Sequence, residues 1–94
     1  MHVRVVRFTG VTPERIDALL ARVREEGGPP EGVSARGISF VYDETAGTAV
    51  VIQRFDTAED MAASAKVLEA MDSGETPGTR ASVDAGEMVL ELEA

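Results

Sequence analysis

Three arginines, one tyrosine and one histidine stand in or beside the apolar segments of this 94-residue chain. Their chemistry is that of anion recognition and proton transfer. Arg4 and Arg7 fall within HVRVVRF, and Arg54 precedes Phe55 at the end of TAVVIQRF. A guanidinium inside an apolar pocket offers a planar fork of donors that fits a carboxylate or a phenolate. The odd spacing of Arg4 and Arg7 sends them to opposite faces of a strand. Pairing with Glu87 or Glu91 of the last strand, or with acids of a second subunit, is the competing role. Tyr42 in GISFVYD carries a phenol that needs a partner when buried and that would face a ligand. With Phe40 and Phe55 it otherwise belongs to the core. His2 has an unperturbed pKa near neutrality, and as the second residue it is expected at a solvent-exposed strand end.

The composition removes other chemistries. Without Cys there are no thiolate ligands, no Cys nucleophile and no disulfide. Asn and Trp are absent too, and a metal site would rest almost wholly on carboxylates, so neither metal nor other cofactor is expected. No Gly-rich phosphate loop follows a strand, and no two carboxylates are placed by spacing as acid and base. No catalytic residue is assigned. With 17 acids against 9 bases the net charge is −8. That balance lacks the basic footprint nucleic acid requires and is repelled by an anionic membrane surface. MHVRVVRF is too short for a signal peptide and no apolar run approaches a membrane span, so a cytoplasmic location is expected.

The elements that must position these residues follow from pattern. The Val-rich run His2–Phe8 is a first strand, closed by Gly10. Thr12 is placed to cap a helix with Pro13 at its first position. Ile16, Leu19, Leu20 and Val23 share one helical face, and Gly27-Gly28 followed by Pro29-Pro30 ends it. The connector over residues 29–36 leads to a second strand at Gly37–Tyr42, with Ile38, Phe40 and Tyr42 on one face and Ser39 and Val41 on the other. Asp43–Gly47 reads as a hairpin loop. A third strand, Thr48–Phe55, sets Val50 and Ile52 against Ala49, Val51 and Phe55. Thr57 caps a second helix, with Asp60 three residues on. Met61, Ala65, Leu68 and Met71 or Asp72 form its inner face, and Gly74 and Pro77 end it. Residues 80–93 read as a last strand with Met88, Leu90 and Leu92 alternating against acids, and with a bulge at Gly86.

This order, β-α-β-β-α-β, is the ferredoxin-like α+β unit in a single domain over residues 1–94. Its four-stranded antiparallel sheet takes the order 4-1-3-2, with both helices on one face. The other face carries more Val, Phe and Ile than water tolerates, which points to a homodimer packed through that face. The small residues Ala62-Ala63-Ser64-Ala65 either let the second helix approach the sheet closely or leave room for a ligand. The candidate pocket is bounded by Arg7, Phe40, Tyr42, Arg54, Phe55, Met61, Ala65 and Leu68.

The stretch PEGVSARGISFVYDETAGTAVVIQRFDTAEDMAAS resembles the second half of small dimeric α/β-barrel proteins of the antibiotic biosynthesis monooxygenase type. The matching features are Pro30, Gly32, Asp43, Gly47, Phe55, Thr57, Glu59 and Asp60. The resemblance implies a dimeric barrel with a pocket between sheet and helices for a polycyclic phenol, a quinol or a haem. It also implies cofactor-free monooxygenase-like activity. Catalytic members use combinations of Asn, Trp, His and Tyr, whereas this chain has no Asn, no Trp and no helical His, which argues against haem degradation. His2 followed by an apolar run is similar to the opening of the stress-responsive barrels. Two other readings stay open. One is a non-catalytic accessory or scaffold dimer; the other is a small-metabolite regulatory module, for which Gly10 after the first strand is the only support.

Overall fold

The computed structural model describes residues 1–28, 32–70 and 76–93. Six elements follow in the order β1 (His2–Thr9), α1 (Pro13–Glu26), β2 (Gly37–Asp43), β3 (Thr48–Phe55), α2 (Ala58–Glu69) and β4 (Thr79–Glu87). The sheet runs β2-β3-β1-β4, every neighbouring pair antiparallel. This is the expected 4-1-3-2 order read from the other edge.

Local chemistry sets each boundary. Thr12 Oγ1 accepts from the Arg15 N–H at 3.3 Å, Pro13 opens α1, and Gly27 closes it by donating its N–H to the Val23 carbonyl at 3.0 Å. Thr57 Oγ1 accepts from the Asp60 N–H at 3.0 Å and so starts α2. In the β2–β3 hairpin, Asp43 Oδ1 accepts from the Ala46 N–H at 3.0 Å, and Gly47 adopts φ 67°, a left-handed conformation that a side chain would strain. The Gly47 carbonyl then accepts from the Val11 N–H at 2.9 Å, tying the hairpin to the entrance of α1.

The register assigns faces. Arg4, Val6 and Phe8 of β1 lie level with Gln53, Val51 and Ala49 of β3, and the latter with Ile38, Phe40 and Tyr42 of β2. These side chains share the face that the helices cover. Val6, Phe8, Val11, Ile16, Ala49 and Val51 form the buried core, with Leu19, Leu20, Phe40 and Tyr42 packed against it. Val3, Val5, Val41, Val50 and Ile52 occupy the opposite face, together with Arg7 and Arg54.

Three expectations need correction. The last strand ends at Glu87, not at residue 93. Glu87 is level with His2, the Met88 N–H donates to the Met1 carbonyl at 2.9 Å, and beyond that point no described strand runs alongside to pair with. Gly86 is not a bulge, because it pairs regularly with Val3. The irregularity lies where Arg7 is level with Ser82 but Phe8 with Arg80, leaving Ala81 as the extra residue. In α2, Met61, Ala65 and Leu68 are only half-buried, and Ser64 is the residue driven fully into the interior. A small side chain there lets the helix sit close to the sheet, and its Oγ accepts from the Ser34 N–H at 3.0 Å. The expectations at Pro30, Met71, Asp72 and Gly74 fall outside the described residues.

Because Ser64 Oγ is the acceptor for a loop N–H, Ser64→Ala is expected to lower stability by about 1 kcal/mol in urea unfolding. Ser64→Leu, which forces a large side chain into a fully packed position, is expected to cost about 1–3 kcal/mol. An unchanged midpoint for both variants contradicts the close approach of α2.

Candidate functional site

Burial falls along α1. Ile16 is buried, Leu19, Leu20 and Val23 are half-buried, and Glu26 is exposed. The helix therefore leaves a gap over the sheet, a cavity of about 710 Å³. Its floor is the helix-facing side of three strands, with Arg4, Val6 and Phe8 from β1, Val51 and Gln53 from β3, and Ile38 and Phe40 from β2. Leu19 and Val23 of α1 form one wall and Leu68 of α2 contributes to the other. The segment over residues 76–80 closes an edge, held to α1 by the Arg15 Nη2 hydrogen bond to the Thr76 carbonyl at 2.9 Å.

One polar pair interrupts this apolar floor. Arg4 is 4% exposed and Gln53 is 5% exposed. They are cross-strand partners, and Arg4 Nη1 donates to Gln53 Oε1 at 3.2 Å. No ion pair forms at Arg4 among the described residues. Burial lowers the pKa of this guanidinium from its ordinary value; Glu69 opposes that shift and Arg80 adds to it. An arginine starts so far above neutrality that the group stays charged.

The anticipated pocket residues divide into three groups. Phe40 and Leu68 line the cavity. Tyr42 and Phe55 lie on the same sheet face but in packed positions at either end, Tyr42 by the hairpin and Phe55 fully buried. The Tyr42 hydroxyl is buried without a hydrogen-bond partner among the described residues. Desolvation, then the charges of Glu44, Glu14, Asp17 and Asp43, raise its pKa. Met61 and Ala65 are half-buried on α2 and lie outside the cavity lining. Arg7 and Arg54 stand on the far side of the sheet. Arg54 Nη1 donates to Ser39 Oγ at 3.2 Å, and its guanidinium lies over Gly37, where any Cβ would collide with it. His2 is half-exposed at the strand end and does not reach the cavity.

Sequence reading leaves Arg4 outside the candidate pocket and passes over Gln53. The signal was parity, since Arg4 shares its face with Val6 and Phe8 by a spacing of two, and Gln53 shares its face with Val51 and Phe55. No group of His, Cys, Asp and Glu suited to a metal ion occurs among the described residues. No helix in them is long and apolar enough to cross a membrane.

No family model matches this chain, and no curated protein matches it. Among solved structures it is similar to that of a "putative antibiotic biosynthesis monooxygenase" from Chloroflexus aurantiacus J-10-fl, with a TM-score of 0.63 and 18% identity. The match covers 98% of this chain and 96% of that one. At that identity the likeness speaks to architecture, and it does so over nearly the whole length of both chains: the protein has the ferredoxin-like α+β fold of that monooxygenase-type structure.

Proposed function

We propose that this chain is a small homodimeric α/β-barrel protein that binds a small apolar or aromatic molecule between its sheet and its helices. The cavity carries the reading. Its volume of about 710 Å³ falls within the roughly 300–1,000 Å³ of small-molecule sites. Its apolar floor and walls with one buried polar pair resemble the usual make-up of such sites, although charged side chains also line it. Likeness to a monooxygenase-type structure adds cofactor-free oxygenation of a phenol as the reaction to test. Turnover of that kind calls for a base, and the described lining offers only Glu26 and Glu69, each the last residue of its helix and exposed.

The dimer rests on the uncovered sheet face. Val3, Val5, Val41, Val50 and Ile52 lie there with no described element of the chain packed over them, and Val41 is 55% exposed. Covering side chains of this size stabilises by about 1.5–3 kcal/mol each, and a second copy supplies the same surface about a two-fold axis.

Thermal shift and calorimetry with 2-naphthol test the cavity. Stabilisation with micromolar to millimolar affinity is expected, and Leu68→Trp, which narrows the space at one wall, should weaken binding while leaving the far-UV spectrum unchanged. No stabilisation of the parent protein by 2-naphthol or by other planar aromatics overturns the binding reading. Mass spectrometry of 2-naphthol after incubation in air separates a binder from an oxygenase.

Light scattering tests the dimer on its own. The parent protein is expected to be dimeric at micromolar concentration and Ile52→Lys monomeric, because the charge would be buried unpaired at the interface. A monomeric parent protein overturns the dimer and leaves the cavity reading intact.

A further inference from the structure

We infer that the cavity selects ligands bearing a carboxylate, which Arg4 and Gln53 receive at the floor of the site while the apolar walls hold the rest of the molecule. The inference rests on the cavity being a ligand site and adds the class of ligand.

Arg4 is the first ground. Arg4 as a residue is 4% exposed, yet its single hydrogen bond among the described residues is to the neutral Gln53 Oε1. A buried charge with no ion pair in contact is costly, and proteins ordinarily pair it; Glu69 acts on Arg4 without forming one. Four further N–H donors of Arg4 are left for other acceptors. With Gln53 Oε1 already engaged, the amide nitrogen of Gln53 is a donor as well. The polar centre of the floor is therefore composed of donors, and its complement is an acceptor with two oxygens and a negative charge.

Charge distribution is the second, independent ground. Arg4, Arg15, Arg22, Arg36 and Arg80 line the cavity, five of the nine basic residues in a chain whose net charge is −8. Glu26 and Glu69 are the acids among the described lining residues, and Asp56 outside the lining pairs with Arg36. Arg36 pairs with Asp56 at 3.1 Å, which offsets its charge, and Arg15 donates to the Thr76 carbonyl at 2.9 Å, so Arg4 is the charge on which the inference rests. An excess of basic over acidic side chains around a site favours an anionic ligand over a neutral one.

A carboxylate fits better than a phenol on elementary grounds. Carboxylates are ionised at neutral pH and present two oxygens to a guanidinium fork, whereas an ordinary phenol, with a pKa of about 10, is neutral there.

The test compares 2-naphthoate, 2-naphthamide and 2-naphthol by calorimetry at neutral pH on the parent protein and on Arg4→Gln. The parent protein should bind 2-naphthoate at least about tenfold more tightly than either neutral ligand, and Arg4→Gln should reduce that preference to about twofold or less while still binding 2-naphthamide. Equal affinities in the parent protein overturn the carboxylate assignment and leave the cavity reading standing. No binding of any of the three overturns both. A preference that survives Arg4→Gln overturns the role of Arg4. Should Arg4→Gln fail to fold, the parent protein in about 0.5 M NaCl decides. Attraction by rim charges is largely screened there, whereas the contact with buried Arg4 persists, so loss of the preference in salt overturns the inference.

Discussion

The antiparallel register of β1 against β3 decides everything on either face of this sheet. With Arg4 level with Gln53 and Val6 level with Val51, one set of side chains meets the helices and the alternate set meets the open face. A slip of one residue would exchange them, placing Arg7 under α1 and Arg4 outside. Hydrophobic pattern alone does not prevent such a slip, because Val3, Val5, Val50 and Ile52 are as apolar as Val6 and Val51. The constraint comes instead from the turn chemistry. Asp43 and Gly47 set the β2–β3 hairpin, and the Val11 N–H bond to the Gly47 carbonyl carries that setting to the end of β1. A short polar loop thereby fixes which arginine is buried.

Once buried, Arg4 is a liability to folding, and on the proposed reading an asset to recognition. The same residue type at position 54 shows the alternative. Arg54 is half-exposed on the open face, lies over a glycine and donates to a serine hydroxyl, and needs no ion pair because solvent remains in reach. Arg4 is 4% exposed and has far less access to solvent. Gln53 provides one acceptor, which relieves part of the desolvation, and Glu69 acts on the charge without forming an ion pair with it. Strong local deviations from the rule that buried charges are paired concentrate at functional sites, and this one lies on the floor of the cavity.

Much of the architecture was legible in the residues because caps, turns and period-two alternation are local signals. Thr12, Thr57 and Gly47 do in the structure what their types suggest, and β3 spans Thr48–Phe55 as its composition indicates. The end of β4 was not legible. Met88, Leu90 and Leu92 alternate as in a strand, but pairing depends on whether a neighbour runs alongside, which is a tertiary fact. The site was half-legible for a related reason. Aromatic residues and arginines mark candidate positions, yet which face each one takes depends on the register, and the opening of the cavity depends on how α1 diverges from the sheet. Phe40 and Leu68 sit on the cavity; Arg7 and Arg54 sit behind it. Ser64 was hidden among alanines, and only its buried hydroxyl bond distinguishes it from them.

An acidic protein with a cationic interior site is not a contradiction, since the two charges act over different distances. The acids of this chain lie mainly on helix ends, turns and the solvent side of β4, for example Glu25, Glu26, Glu44 and Asp84. At physiological ionic strength their fields fade over about 8 Å of water. Within the cavity the walls are largely apolar and Arg4 is buried, so its guanidinium acts with much less screening than any surface carboxylate. A ligand anion would then meet weak repulsion outside and strong attraction at close range. On the proposed reading the outer charge serves solubility and the inner charge serves selection, and the fold keeps them apart because Arg4 alone among the strand arginines is buried in the floor.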